Sequence, residues 1–355
     1  MSLPSGEVQQ FFTERQQQQQ NNAIPEEILT SISRIGQEQI NRDQAYAIQA
    51  IRLSLKSKSS YDVLPVSFRL IVLDTSLSVK RALNILLQNS IVSAPLWNSK
   101  TSRFAGLLTS ADFINVIQYF HRNPEQDQRH NLDRLTLDSL REIEKAIGVE
   151  PIEKISTPPF SSIFLACDQM LKTKARRIPL VDEDKATHRE IIVSVLTQYR
   201  ILKFVALNCK ETRMLMKPLK DIKFEKKYEE LSVARMHTPV RTVINLLATK
   251  GISSVPIVDE NFKLLNVYEA VDVLSLVKSG INNQELYLTV GQALMKRPDT
   301  FEGVYVCTLN DKLATILELI KTSKLHRLFI VDEEGKLLGL LTLSDILRYI
   351  LFGET

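Results

Sequence analysis

An acid recurs at one place in this chain. Asp112, Asp272 and Asp345 each stand where an apolar strand gives way to a helix start: Leu108-Thr109-Ser110-Ala111-Asp112, Val267-Tyr268-Glu269-Ala270-Val271-Asp272 and Leu341-Thr342-Leu343-Ser344-Asp345. Hydroxyl and carboxylate groups there suit the free N–H groups of a first helical turn, and a lone Asp at such a place is ordinarily a cap. Cations recur as well: Arg176-Arg177 and His326-Arg327 lead into apolar strands. A lone Arg beside a strand is ordinarily a solvated charge and a lone His ordinarily structural; recurrence at fixed spacing is what singles these residues out. Covalent chemistry finds no support. The chain has no Gly-rich phosphate loop of the Walker type, no kinase Lys/Asp set, no nucleophile elbow and no His/Cys metal cluster. His121, His130, His188 and His237 show no metal spacing, and His188 with Cys167 matches no nucleophilic motif. The acids and cations read as a binding set on a chain that is not an enzyme.

The elements that position them repeat four times. The core strand appears as Ser93-Ala94-Pro95-Leu96-Trp97, Arg177-Ile178-Pro179-Leu180-Val181-Asp182, Ser254-Val255-Pro256-Ile257-Val258-Asp259 and Arg327-Leu328-Phe329-Ile330-Val331-Asp332. Each precedes a turn, a second apolar strand and a helix start, a pattern for hairpins of buried strands. Pro95 to Asp112 spans 17 positions, while Pro256 to Asp272 and Phe329 to Asp345 span 16 each. The second copy takes 21, from Pro179 to Arg200, with a polar insertion near 184–190. Apolar periodicity predicts a helix before each core strand, at 79–87, 163–171, 240–247 and 313–320. A preceding strand such as 68–73 completes each small sheet. The copies recur every 73 to 84 residues, too long for a solenoid, and suit four α+β modules that must pair to hide their exposed sheet faces.

Size and composition bound the rest. The chain's 355 residues allow two or more domains, and 44% hydrophobic with 24% charged residues is an ordinary globular balance. No apolar run approaches the ~20 residues of a bilayer span, and the N-terminus lacks a signal-peptide core. Cys167, Cys209 and Cys307 without metal spacing imply reduced thiols, hence cytoplasmic and nuclear residence. A net charge of +4 with dispersed Lys and Arg argues against nucleic acid as partner. Residues 1–36, with the glutamine run at 16–20, read as a disordered tail. Ile40, Ala47, Ile48, Ile51 and Leu55 mark an amphipathic helix within 37–59, ahead of the first copy. A helix is also expected at 135–147.

These units resemble cystathionine-β-synthase (CBS) motifs. The stretch from Tyr61 to Gly353 resembles the γ regulatory subunit of the AMP-activated, sucrose-non-fermenting-type protein kinase, nearest its fungal form. Tyr61-Asp62-Val63-Leu64-Pro65, Ser93-Ala94-Pro95-Leu96-Trp97, residues 197–202 and residues 326–330 carry the likeness. The resemblance implies an α+β fold with two Bateman-type pairs of motifs in a pseudo-symmetric disc. Its expected segments are 60–122, a helical insertion at 123–150, 151–209, a linker at 210–230, 231–281 and 282–355.

It also implies adenine-nucleotide ligands (AMP, ADP and ATP), no cofactor and no metal. Asp112, Asp272 and Asp345 would accept the ribose hydroxyls, the carboxylate of one motif working with the core strand of its partner. Asp272 would join His326 and Arg327; Asp112 would join Arg176 and Arg177; Asp345 would join Thr238, Ser253 and Ser254, with Thr342 and Ser344 nearby. The cations would hold phosphate, where guanidinium gives two parallel charge-assisted bonds. The expected partners are a kinase catalytic α subunit and a scaffolding β subunit, engaged near the first motif, in a heterotrimer answering energy or glucose limitation. Three residues depart from the pattern: Arg200 replaces the second carboxylate, and Val92 and Gly251 stand where many members carry Arg. Those departures favour a rival, a structural activating subunit that relieves kinase autoinhibition without sensing nucleotide.

Overall fold

The computed structural model describes residues 26–123, 134–148, 155–173, 175–222, 224, 231–278, 283–297, 301 and 303–353. The glutamine run lies outside them. Helix α1 spans Glu26–Ser57, so the tail expected to be disordered through residue 36 is helical from Glu26. Gly36 costs a helix only about 1 kcal/mol, and Glu38 pairs with both Arg34 and Arg42 along the exposed face.

Unit one holds β1 (Leu73–Asp74), α2 (Val79–Gln88), β2 (Ser93–Asn98), β3 (Arg103–Thr109) and α3 (Ser110–Arg122), followed by α4 (Leu140–Ala146). Unit two holds α5 (Ile163–Lys172), β4 (Arg177–Glu183), β5 (Glu190–Thr197) and α6 (Gln198–Asn208). Unit three holds α7 (Val240–Thr249), β6 (Ser254–Val258), β7 (Leu264–Glu269) and α8 (Asp272–Lys278), then the short α9 (Asn283–Leu286) and α10 (Val290–Leu294). Unit four holds β8 (Val306–Cys307), α11 (Leu313–Thr322), β9 (Arg327–Val331), β10 (Leu337–Thr342) and α12 (Leu343–Phe352).

Two expected elements are shorter than their apolar patterns. The strand expected at 68–73 pairs only through Leu73 and Asp74, because Phe68 and Val72 face solvent with no neighbouring strand. In the inserted segment, Leu135 and Leu137 are buried through loop hydrogen bonds to unit one, and the helix begins only at Leu140.

Each hairpin is antiparallel and carries a register shift at its turn end, a bulge that twists the strands. A short parallel pairing widens each sheet: β1 with β2, Thr157 with Leu180, Ala234 with Ile257, and β8 with β9. A further bridge precedes each inner helix, and its partners reveal the symmetry. Ser78 pairs with Thr136 and Pro239 with Thr289, each using chain that follows its own unit. Ser162 pairs with Ser59 and Lys312 with Pro218, each using chain that precedes the unit before it. The halves 1–2 and 3–4 are thus built by one rule, a pseudo-twofold relation.

The units close a ring through two kinds of contact. Within a half, hairpins meet: the Phe104 N–H donates to Glu190 at 2.6 Å. In the other half the Leu264 N–H donates to the Gly335 carbonyl at 3.0 Å and the Leu337 N–H to the Phe262 carbonyl at 2.9 Å. Across halves, helices share cores. One core joins α2, α3 and α4 to α7 and α8; the other joins α5 and α6 to α11 and α12, with Ala47, Ile48, Ile51 and Leu55 of α1. The linker expected at 210–230 enters this second core through Leu215, Leu219 and Ile222.

Candidate functional site

Three of the four second strands end in a threonine that caps the next helix. Thr109, Thr197 and Thr342 have extended backbones, and their side-chain oxygens accept N–H groups of the first turn. Three residues on stand Asp112, Arg200 and Asp345. In units one and four the pair forms a reciprocal capping box, which fixes the carboxylate's position. Asp345 Oδ2 accepts from the Thr342 N–H at 2.8 Å and hydroxyl at 2.6 Å; Asp112 Oδ2 accepts from the Thr109 N–H at 2.6 Å and hydroxyl at 2.9 Å. Both acids are buried. Asp345 Oδ1 accepts no hydrogen bond among the described residues, so its lone pairs remain available to a ligand's hydroxyls.

Unit two differs as its sequence foretells. Burial lowers the pKa of Arg200, whose guanidinium turns back to the Val195 carbonyl at 3.0 Å. Beside it the buried Gln198 donates to the Ala175 carbonyl and accepts from Ser344 of unit four at 3.0 Å.

Unit three differs more. Glu269 occupies the place that threonine holds in the other copies. Its backbone N–H still reaches Asp272 Oδ2 at 2.7 Å, but its carboxylate pairs with Arg327 of unit four. Asp272 itself is held by Arg297, whose Nε donates to Oδ1 at 2.7 Å and whose Nη2 donates to Oδ2. Both side chains are only 10% exposed. Arg297 also donates to Asn266 Oδ1 at 3.2 Å and the Val267 carbonyl at 2.6 Å, and lies 3.9 Å over the Phe301 ring. Burial pushes the Asp272 pKa up, and the bonds from Arg297 oppose that shift. The buried Tyr268 hydroxyl lies within the fields of Asp272, Arg297 and Glu285, and burial drives its pKa far up.

The cations gather where units two, three and four meet. Arg327 donates to Glu269 and, at 3.2 Å, to Ser253 Oγ of unit three. Arg176 reaches solvent yet is crowded by protein, and this, with the like charges of Arg327 and Arg177, lowers its pKa to about 10; Glu269 opposes. Burial also lowers that of Arg177. His326 packs edge-on against Tyr199 of unit two, centroids 6.0 Å apart. Three neighbouring guanidinium groups, Arg176, Arg177 and Arg327, form a cationic cluster of the kind that suits a polyanion.

Other expected site residues divide between this region and the frame around it. Ser253 bonds Arg327, and Thr342 faces Arg327 across the β9–β10 ladder. Ser254 is buried in β6, paired with Glu269. Thr238 Oγ1 accepts the Arg235 N–H at 2.9 Å, closing the turn before α7. Arg176, expected beside Asp112, lies within the fields of Glu269 of unit three and Arg327 of unit four. Glu269 was readable as the odd residue in a fourfold threonine pattern. Arg297 was not: it lies 25 positions beyond Asp272, outside the hairpin and helix start that recur four times. No group of His, Cys, Asp and Glu able to hold a metal occurs among the described residues.

The CBS domain model matches residues 229–279 and 292–352. The chain is 59% identical over 320 residues to the 5'-AMP-activated protein kinase subunit gamma of Kluyveromyces lactis, covering 90% of this chain and 96% of that one. It is 58% identical over 318 residues to the same subunit of Saccharomyces cerevisiae, covering 90% and 98%. Protein MJ1225 of Methanocaldococcus jannaschii superimposes with a TM-score of 0.64 at 16% identity, over 82% of this chain and 99% of that one, a likeness of fold. With its CBS pairs assembled into one α+β ring, the chain belongs to the family of 5'-AMP-activated protein kinase γ subunits.

Proposed function

We propose that the chain is a non-catalytic regulatory subunit of a heterotrimeric Ser/Thr kinase, and that it reads adenine nucleotides chiefly at the Asp345 site. The observation that carries this is the open Oδ1 of Asp345, buried at a helix start, while Arg176 and Arg177 of unit two stand near Arg327 of its own unit. Its relatives' name supplies the kinase and the AMP response. A nucleotide acts on such a complex through its differential affinity for two arrangements of the subunits. Energy or glucose limitation, which raises AMP and ADP against ATP, is the signal it would transmit.

The surface for the partners is an extended edge. Residues 65–72 enter no ladder among the described residues, Val66 is fully exposed, and Phe68 and Val72 are exposed too. That edge suits strand addition by the scaffolding β subunit, with the catalytic α subunit alongside. Three free, buried thiols suit the reducing cytoplasm and nucleus, where we locate the complex.

A second reading, a structural activator blind to nucleotide, is favoured by the ion pairs that occupy unit three and by Arg200. Calorimetry of the purified chain with AMP, ADP and ATP separates the two. Asp345→Ala is expected to weaken binding by about 100-fold, or ~3 kcal/mol, for two hydrogen bonds to a charged acceptor. Unchanged affinity in that variant, or silence toward every adenylate at millimolar concentration, leaves the activator reading.

A further inference from the structure

We propose that the unit-three site is kept closed by the chain's own charges: Arg297 occupies Asp272, and Glu269 occupies Arg327, so that both must be displaced before a nucleotide can enter. The inference rests on the nucleotide-binding reading above and specifies which of its sites is open at rest.

The argument begins with valence. A carboxylate offers about four lone-pair directions. At Asp272 two are taken by the side-on guanidinium of Arg297 and a third by the Glu269 N–H. A cis-diol needs two acceptor directions together, and one remains. At Asp345 the bonds all fall on Oδ2, and Oδ1 is open. The two acids thus match in sequence position and differ in availability.

Arg297 is a strong competitor because four bonds converge on its guanidinium, to Asp272 Oδ1 and Oδ2, Asn266 and Val267. A ribose must replace a buried, charge-assisted pair rather than water. The phosphate end meets a second obstacle. Arg327 would have to exchange Glu269 for the incoming anion, and the Glu269 carboxylate repels that anion. The other copies carry threonine in its place, which caps the helix without adding charge.

The test is calorimetry of the full chain with AMP at pH 8, where Asp272 stays most ionised once its cation is removed. The variants are Arg297→Ala, Glu269→Thr and their combinations with Asp272→Ala. The unmodified chain is expected to show binding that Asp345→Ala removes and Asp272→Ala leaves unchanged. Arg297→Ala is expected to add a second binding event, which Asp272→Ala removes again. Glu269→Thr, which restores the residue of the sister copies and is the milder change, is expected to strengthen binding at Asp272 at least tenfold. An unmodified chain that already loses a binding event with Asp272→Ala would overturn the proposal. So would Arg297→Ala and Glu269→Thr variants, both folded by circular dichroism, that gain none. Asp345-dependent binding is read in the same titrations, so failure of the general reading is seen separately: its persistence alongside inert unit-three variants sinks only the closed-site inference.

Discussion

Asp74 shows how firmly single side chains are fixed around the hairpins. It accepts from the hydroxyl and N–H of Ser76 and from those of Ser99, tying β1 to the turn that follows β2. These bonds, the Ser76 hydroxyl foremost, pull its pKa down to about 2. The sign follows from linkage. Between the ordinary carboxylate value near ~3.9 and about 2, the unfolded chain binds a proton that the folded chain refuses. Stability is therefore complete above that window and falls as acid is added through it. A carbon-detected NMR titration is expected to place the Asp74 midpoint near 2, and Ser99→Ala to move it upward. An unmoved midpoint would remove Ser99 from the account. At this scale the sequence was partly legible. Asp345, Arg327 and Arg176 stood out by recurrence, and Arg200 by breaking it. Arg297 had no such signal, because only the folded chain brings it to Asp272.

Each strand-to-helix joint depends on one threonine. Thr342 accepts the Asp345 N–H at 3.3 Å and gives its own hydroxyl hydrogen to Asp345 Oδ2 at 2.6 Å. Thr342→Ala should cost about 1 kcal/mol in urea denaturation, the usual loss for a capping residue. It should also weaken the nucleotide binding proposed for Asp345, because the carboxylate loses the group that aims it. A variant as stable as the parent would show that α12 is held by packing alone. Elements of this kind were easy to find in the sequence. A core strand, a turn, a second strand and a helical stripe, recurring every 73 to 84 residues, leave little choice of secondary structure. The first strand was over-read, since Phe68 and Val72 are apolar but exposed. The helix α1 was under-read: Ile28, Leu29, Ile32 and Ile35 keep helical spacing, but the polar run before them and Gly36 after them masked the start.

The assembly of units depends on contacts far apart in the chain, and no local pattern encodes them. Repetition implied that copies must pair; it did not say that unit one shares its core with three and unit two with four. Helix α1 belongs to the second of these cores. Arg52 Nε donates to the Ile350 carbonyl at 2.6 Å and Gln44 Nε2 to the Tyr349 hydroxyl at 3.0 Å, over buried Ile48, Ile51 and Leu55. Each such aliphatic side chain contributes about 1.5–3 kcal/mol on burial. Removing residues 26–57 is therefore expected to lower hydrogen-exchange protection in α5 and α12 first, while α2, α3 and α7 keep theirs. Equal loss in both sets would mean that the ring unfolds as one cooperative body.

The same pseudo-twofold rule governs both halves, so a shorter polypeptide carrying two units would satisfy it by meeting a duplicate of itself. Any exchange of residues in that duplicate would have to appear twice. Joined end to end, the halves escape this bookkeeping. One corner can trade its acid for Arg200, and another its threonine for Glu269, while the opposite corners keep theirs and the closure stands. Continuity of the backbone is thus what allows four related units to specialise one at a time.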